Sequence, residues 1–282
     1  MTQSEALNIL KIGANVFLTG EPGSGKTYTI NSYVSYLRAS SIEPAITAST
    51  GIAATHIGGM TIHSWSGIGV KTKLDKYDLD KIASSEYISK RVRRTKVLII
   101  DEISMLSTKT LDMVDAVCRE VKQSSDAFGG MQIILVGDFF QLPPITKKEI
   151  MEEKQNSLLG AGEDSSTFVY GSGAWERTRP VVCYLTEQHR QDDPDFLSVL
   201  SAIRSNNFSK THLSHINTRQ IDADGMPENI TKLFSHNVDV DRVNNNELSK
   251  LETELKTFMM IGSGNDKVVE VLQKGCLSPE RL

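Results

Sequence analysis

The run Gly20-Glu21-Pro22-Gly23-Ser24-Gly25-Lys26-Thr27 constrains this chain more than any other stretch, because it satisfies GxxxxGK[ST]. Glycines let the backbone curl until several N–H groups point at one anion, and a following helix adds the positive end of its dipole. Gly20, Gly23, Ser24 and Gly25 are thus expected to cradle a phosphate. Lys26 would neutralise the β- and γ-phosphates of ATP, and the Thr27 hydroxyl would ligate Mg²⁺. The flanks agree with this reading. Val16-Phe17-Leu18 reads as a buried strand, and Ile30, Tyr33, Val34 and Leu37 recur at helical spacing. Ahead of them Thr2 and Glu5 form a capping box, so a short helix opens the chain.

Further short apolar runs alternate with helical patterns. Ala45–Ala48, Val97–Ile100 and Ile133–Val136 read as strands, and Leu111, Val114, Cys118 and Val121 mark one helix face. This alternation predicts βαβ units and a parallel sheet flanked by helices. Asp101 and Glu102 end the Val97–Ile100 run, where ligands bind in open α/β sheets. Asp101 would hold the Mg²⁺ shell and Glu102 would polarise an attacking water; two acids after a strand also serve as a helix cap. Gln141 follows the next strand in Gly137–Pro144. Its amide suits a γ-phosphate oxygen, although a loop stopped by prolines explains the same run.

The stretches Phe17–Thr27, Ala48–Gly69, Val97–Leu106, Phe128–Pro144 and Leu185–Asp192 together resemble DNA helicases of the petite-integration-frequency family, in superfamily one and akin to the RecD type. The resemblance implies a RecA-like P-loop NTPase, followed by a second RecA-like domain, that hydrolyses ATP and moves 5′-to-3′ on single-stranded DNA. It implies forked DNA as a substrate, and work in repair, recombination and telomere maintenance. Gln3 takes the place of an adenine-contacting glutamine. Arg190 takes that of an arginine presented to the γ-phosphate, the alternative being a salt bridge with Asp192 or Asp193. Val181–Leu185 and Thr231–Phe234 are expected to start the second sheet, with a helix around Phe196–Arg204 between them. The division is expected at 178, with a small basic insertion at about 66–95. A polar loop or linker is expected over 147–166. The family's later motifs, of the types GLVNG and ALSR, are absent from residues 206–282, so the second domain is expected to be incomplete.

The nucleic-acid side rests on Thr50, Gly51, His63 and Trp65. Hydroxyls and backbone amides suit phosphates, and an indole stacks on bases. Composition alone places Trp65 in the core and His63 inside; the resemblance places both on the DNA track. Residues 71–96 hold nine Lys or Arg against four acids, a local +5 in a chain whose net charge is −4. That stretch is either a solvated face or a DNA contact. The overall charge excludes a uniformly basic, histone-like binder. Three widely spaced cysteines exclude a disulfide framework or zinc ribbon and point to a reducing compartment. No apolar run spans a membrane and no signal peptide is visible, so an intracellular protein is expected, cytoplasmic and nucleoid-associated in a bacterium, and monomeric. Two other functions compete: a non-unwinding ATP- and DNA-binding remnant, and a small-molecule kinase. A kinase needs an acceptor pocket and an Arg-rich lid, and the sequence displays neither.

Overall fold

The computed structural model describes residues 1–144, 168–187, 193–221, 230–234, 236–253, 256, 261–264 and 269. The chain divides into two compact units, Met1–Arg219 and Gln220–Leu282.

The first unit is built on a six-stranded parallel sheet. Its strands are β1 (Val16–Gly20), β2 (Ala45–Ala48), β3 (Met60–Thr61), β4 (Val97–Asp101), β5 (Gln132–Val136) and β6 (Val181–Leu185), in the spatial order β3-β2-β4-β5-β1-β6. The central strands are apolar on both faces, as a sheet covered by helices on each side requires. Val16, Leu18, Val97, Ile99, Ile134 and Val136 pack under α1 (Gln3–Lys11) and α2 (Lys26–Ala39). Their neighbours Phe17, Leu98, Ile100, Ile133 and Leu135 face the other way. That second face is covered by α4 (Ile62–Ser66), α5 (Lys76–Ser84), α6 (Glu86–Arg94), α7 (Thr108–Lys122) and α8 (Gly173–Thr178). The remaining helix between β2 and β3 is α3 (Gly51–His56).

The helices start where their caps dictate. Thr2 accepts from the Glu5 N–H while Glu5 accepts from the Thr2 N–H, closing the expected capping box. Ser107 caps α7, whose Leu111, Val114, Cys118 and Val121 are all buried. Asp115, also on α7, is fully buried and is satisfied by Arg119, Arg177 and the Phe128 N–H at 2.7–2.9 Å, which ties α7 to its neighbours.

One strand corrects the sequence reading. Val181–Leu185 does not open a second sheet; it pairs in parallel with β1 from Val16↔Val181 to Gly20↔Leu185. The reason is tertiary. The Val181 N–H donates to the Asn15 carbonyl, Asn15 holds the Thr178 carbonyl, and Cys183 and Leu185 are buried in the α1–α2 cluster. The expected helix follows as α9 (Pro194–Arg204), then α10 (Lys210–Asn217). The basic stretch forms α5 and α6, anchored by Ile82 and Val92 in the core.

In the second unit the described residues include α11 (Asn237–Ser249). Thr231–Phe234 is exposed and unpaired as strand, contrary to the expectation that it begins a sheet. The expected loop over 147–166 lies outside the described residues.

Candidate nucleotide site

Three loops leave the C-terminal edge of the sheet side by side. β5 lies between β1 and β4, so the glycine-rich loop, the Gly137–Gln141 loop and Asp101 line one edge. This is where the strand carboxyl ends of a doubly wound sheet hold ligands.

In the glycine-rich loop, Gly20 has φ 151° and a Cβ there would come within 2.7 Å of the Leu185 carbonyl on β6. Gly25 caps α2 with φ 83° and lies directly under the Gln3 side chain, leaving no room for a Cβ. Gln3 Nε2 donates to the Ser24 carbonyl at 3.3 Å and the Gln3 N–H donates to Glu187 at 3.0 Å. The fold thus seats Gln3 on the loop, though nearly a full strand and helix separate them in sequence. Lys26 Nζ donates to the carbonyls of Gly20 and Glu21 at 2.8 and 3.2 Å. Burial lowers the Lys26 pKa against the opposing pull of Asp138 and Glu102.

Asp101 accepts from the Glu102 N–H at 2.8 Å, and burial raises its pKa. Glu102 is raised by burial and then by the Asp101 charge. Glu102 sits in the left-handed region at φ 51°, ψ 47°, an uncommon place for a non-glycine residue. Ser49 fixes it there: its hydroxyl donates to the Glu102 carbonyl at 2.7 Å, and its N–H donates to the Asp101 carbonyl at 3.1 Å. Ser49 directly follows β2 and precedes Thr50, so the acidic pair and the expected DNA-facing stretch share one hydrogen-bonded frame.

Thr27, Thr50, Asp101, Glu102, Ser104 and Gln141 line a cavity of about 530 Å³. The donor set suits a magnesium–nucleotide complex. Thr27 and Asp101 offer the hard oxygens that Mg²⁺ takes. The hydroxyls of Ser24 and Ser104 are buried without a partner among the described residues, as groups awaiting a polar ligand would be. Mg²⁺ bound here would neutralise charge between the phosphate oxygens.

Gln141 is exposed, with its amide 3.5 Å from Asp138. Arg190 lies outside the described residues. Thr50 caps α3 by accepting from the Ala53 N–H at 3.2 Å, and Gly51 is exposed beside it. Trp65 requires a correction. It is 2% exposed inside the larger core cluster, so its ring is packed against side chains and is not offered to a base. His63 is half-buried, with its pKa lowered by burial. The physical reason is periodicity: Ile62, Trp65 and Ser66 occupy the inward face of α4, which leaves its other side for solvent.

Sequence reasoning passed over Ser49, Asp138 and Arg204. Asp138 carried a usable signal, a lone acid separated by one residue from the end of an apolar strand. Arg204 carried none, because only the fold brings the end of α9 to the β5 loop.

Residues 3–222 match the family described as PIF1-like helicase. The ATP-dependent DNA helicase Pif1 of Psychrobacter sp. is 43% identical over 292 aligned positions, which cover 100% of this chain and 42% of that protein. Among solved structures, the Pif1 helicase from Candida albicans superimposes with a TM-score of 0.77 at 29% identity, covering 97% of this chain and 60% of that one. The Pif1 helicase from Bacteroides in complex with ADP-AlF3 and ssDNA gives 0.69 at 32% identity, covering 89% and 57%. The chain therefore spans less than half the length of the Psychrobacter relative. Its glycine-rich loop, acidic strand end and parallel sheet all fall inside the matched residues, and the chain belongs to the PIF1-like helicase family.

Proposed function

We propose that this chain carries the ATP-hydrolysing domain of a DNA helicase that moves 5′-to-3′ on single-stranded DNA. The observation that carries the reading is the shared cavity. Thr27, Asp101, Glu102 and Gln141 meet Thr50 in one space, so a phosphate site adjoins the stretch that the family uses for DNA. The Bacteroides relative, solved with ADP-AlF3 and ssDNA, supports both ligands.

In this reading Gly20, Gly23, Ser24 and Gly25 hold the phosphates and Lys26 neutralises their charge. Thr27 and Asp101 hold Mg²⁺, Gln3 contacts the base, and Glu102 takes the proton of the attacking water. Gln141 senses the γ-phosphate, and Arg190 adds its charge on domain closure. Thr50, Gly51 and His63 lie along the strand of DNA. With β6 in the first sheet, we assign the start of the second RecA-like domain to the Gln220–Leu282 unit.

The test is hydrolysis of ATP by the purified chain with Mg²⁺, with and without single-stranded DNA. Stimulation by DNA and not by nucleosides is the expected result. Phosphate transfer to a nucleoside would replace this reading with a kinase, and DNA binding without turnover would leave a non-catalytic remnant. Unwinding of a forked duplex, followed on the same chain, reports whether these residues suffice for a motor. An alternating grip needs two states with different DNA affinity.

A further inference from the structure

Arg204 ends α9 and is only 14% exposed, and its Nη1 donates to Asp138 Oδ2 at 2.8 Å. Asp138 is 1% exposed, so its carboxylate is a buried charge and Arg204 is its counterion. Aromatic faces hold the guanidinium in place, with its carbon 4.3 Å from the Phe140 ring centre and 5.6 Å from that of Tyr184. The other Asp138 oxygen accepts from the Phe140 N–H at 3.1 Å, which shapes the turn that presents Gln141.

The same carboxylate lies beside Gln141, one of the two groups assigned to the γ-phosphate, and its charge acts on the other, Lys26. The Gln141 amide lies 3.5 Å from Asp138 Oδ2. Asp138 is also the strongest of the charges that act on Lys26, ahead of Glu102 and Asp101, and Arg204 opposes it. Lys26 nevertheless donates to the Gly20 and Glu21 carbonyls and not to Asp138. Burial alone would push the Asp138 pKa up; the hydrogen bonds from Arg204 and the Phe140 N–H, with the Arg204 charge and the Gln141 amide, override it and hold the group ionised.

We propose that Arg204 is a positioning residue for the γ-phosphate: by occupying the buried Asp138 carboxylate, it keeps that carboxylate from competing with the γ-phosphate for Lys26 and Gln141. The inference deepens the nucleotide-site reading and rests on it. A diphosphate held mainly by the N–H groups of the glycine-rich loop is little affected by the state of Asp138. A triphosphate places its terminal charge next to it. Removing Arg204 leaves an unpaired anion beside that charge, so selectivity for the third phosphate falls.

Isothermal titration of the full 282-residue chain with Mg²⁺ and either ADP or ATPγS tests this. Arg204→Ala is expected to weaken ATPγS by at least about tenfold, and ADP by no more than about threefold, in keeping with hydrogen bonds to charged groups. Arg204→Ala also strands a buried charge and lowers stability, so the pair Asp138→Asn with Arg204→Ala, which buries no charge, is measured alongside. The pair is expected to recover ATPγS affinity to within about threefold of wild type, because the competitor is gone. Equal loss of both nucleotides in Arg204→Ala, unchanged selectivity, or a pair as weak as the single variant would each overturn the inference and leave the nucleotide site standing. A wild-type chain that binds neither nucleotide would overturn the nucleotide-site reading, and the inference with it.

Discussion

Two regions of the first unit spend their charged and aromatic residues in opposite ways. At the C-terminal edge of the sheet, Lys26, Asp101, Glu102, Asp138 and Arg204 are drawn out of solvent and set against one another. Along Thr50–Lys96 the residue types that suit nucleic acid serve the fold instead. Trp65 fills the core, and Arg91 is buried, donating to the Ser64 and Trp65 carbonyls at the end of α4. Arg93 Nε donates to the Val121 carbonyl at 3.2 Å, and Lys71 pairs with Asp78 at 2.8 Å. A count of basic residues therefore overstates the charge that this face offers to a phosphate backbone. Buried charge at a strand end marks chemistry, whereas a basic, aromatic sequence marks a surface only after the packing is subtracted.

Trp65→Ala probes the second region hardest. Loss of a buried tryptophan costs about 3–5 kcal/mol. Urea denaturation should show that loss, with affinity for single-stranded DNA preserved in the folded protein. A stable variant with weakened DNA binding would put Trp65 back on the DNA.

Lys26→Ala probes the first region. Hydrogen bonds to charged groups contribute about 1.5–3 kcal/mol each, so nucleotide binding should weaken at least roughly tenfold. Titration calorimetry decides this, and equal affinities would move the phosphates elsewhere.

The acidic pair gives a pH test. Burial raises the Asp101 pKa, and burial with the Asp101 charge raises that of Glu102. The folded state thus holds these protons more tightly than the unfolded chain does. Stability is fully present below the unfolded pKa values and is lost as pH rises through the raised folded ones. Asp101→Asn carries no such charge. Without Mg²⁺ and nucleotide at pH 7 it should melt roughly 2–4 °C higher, with a flatter dependence on pH. A lower melting temperature would show that the ionised carboxylate stabilises the fold.

The smallest expected effect lies on α6. Lys90 is exposed, whereas the neighbouring Arg91 is buried. If the α6 face touches DNA, Lys90→Ala should reduce the slope of log affinity against log salt by about 0.7. Arg91→Ala should leave the slope unchanged and lower the melting temperature. Anisotropy at several salt concentrations separates the two, and an unchanged slope in Lys90→Ala would remove that lysine from the DNA path.

Several features of this chain are encoded by residues close together along it. The glycine-rich loop binds through its own backbone, so its residue types and their order suffice to name it. Asp101 and Glu102 end an apolar strand, and that strand places them at the sheet edge wherever it pairs. The Thr2–Glu5 box and the inward faces of α2 and α7 follow from contacts three or four residues apart. Others depend on packing between residues far apart along the chain. Val181–Leu185 carries an apolar pattern that suits any sheet, and only the Asn15 hydrogen bonds and the burial of Cys183 and Leu185 put it beside β1. Trp65 has a ring fit for a base or for a core, and the inward face of α4 settled which. Arg204 reached Asp138 across 66 residues of chain, a pairing fixed by the packing of α9 and by no spacing in the sequence.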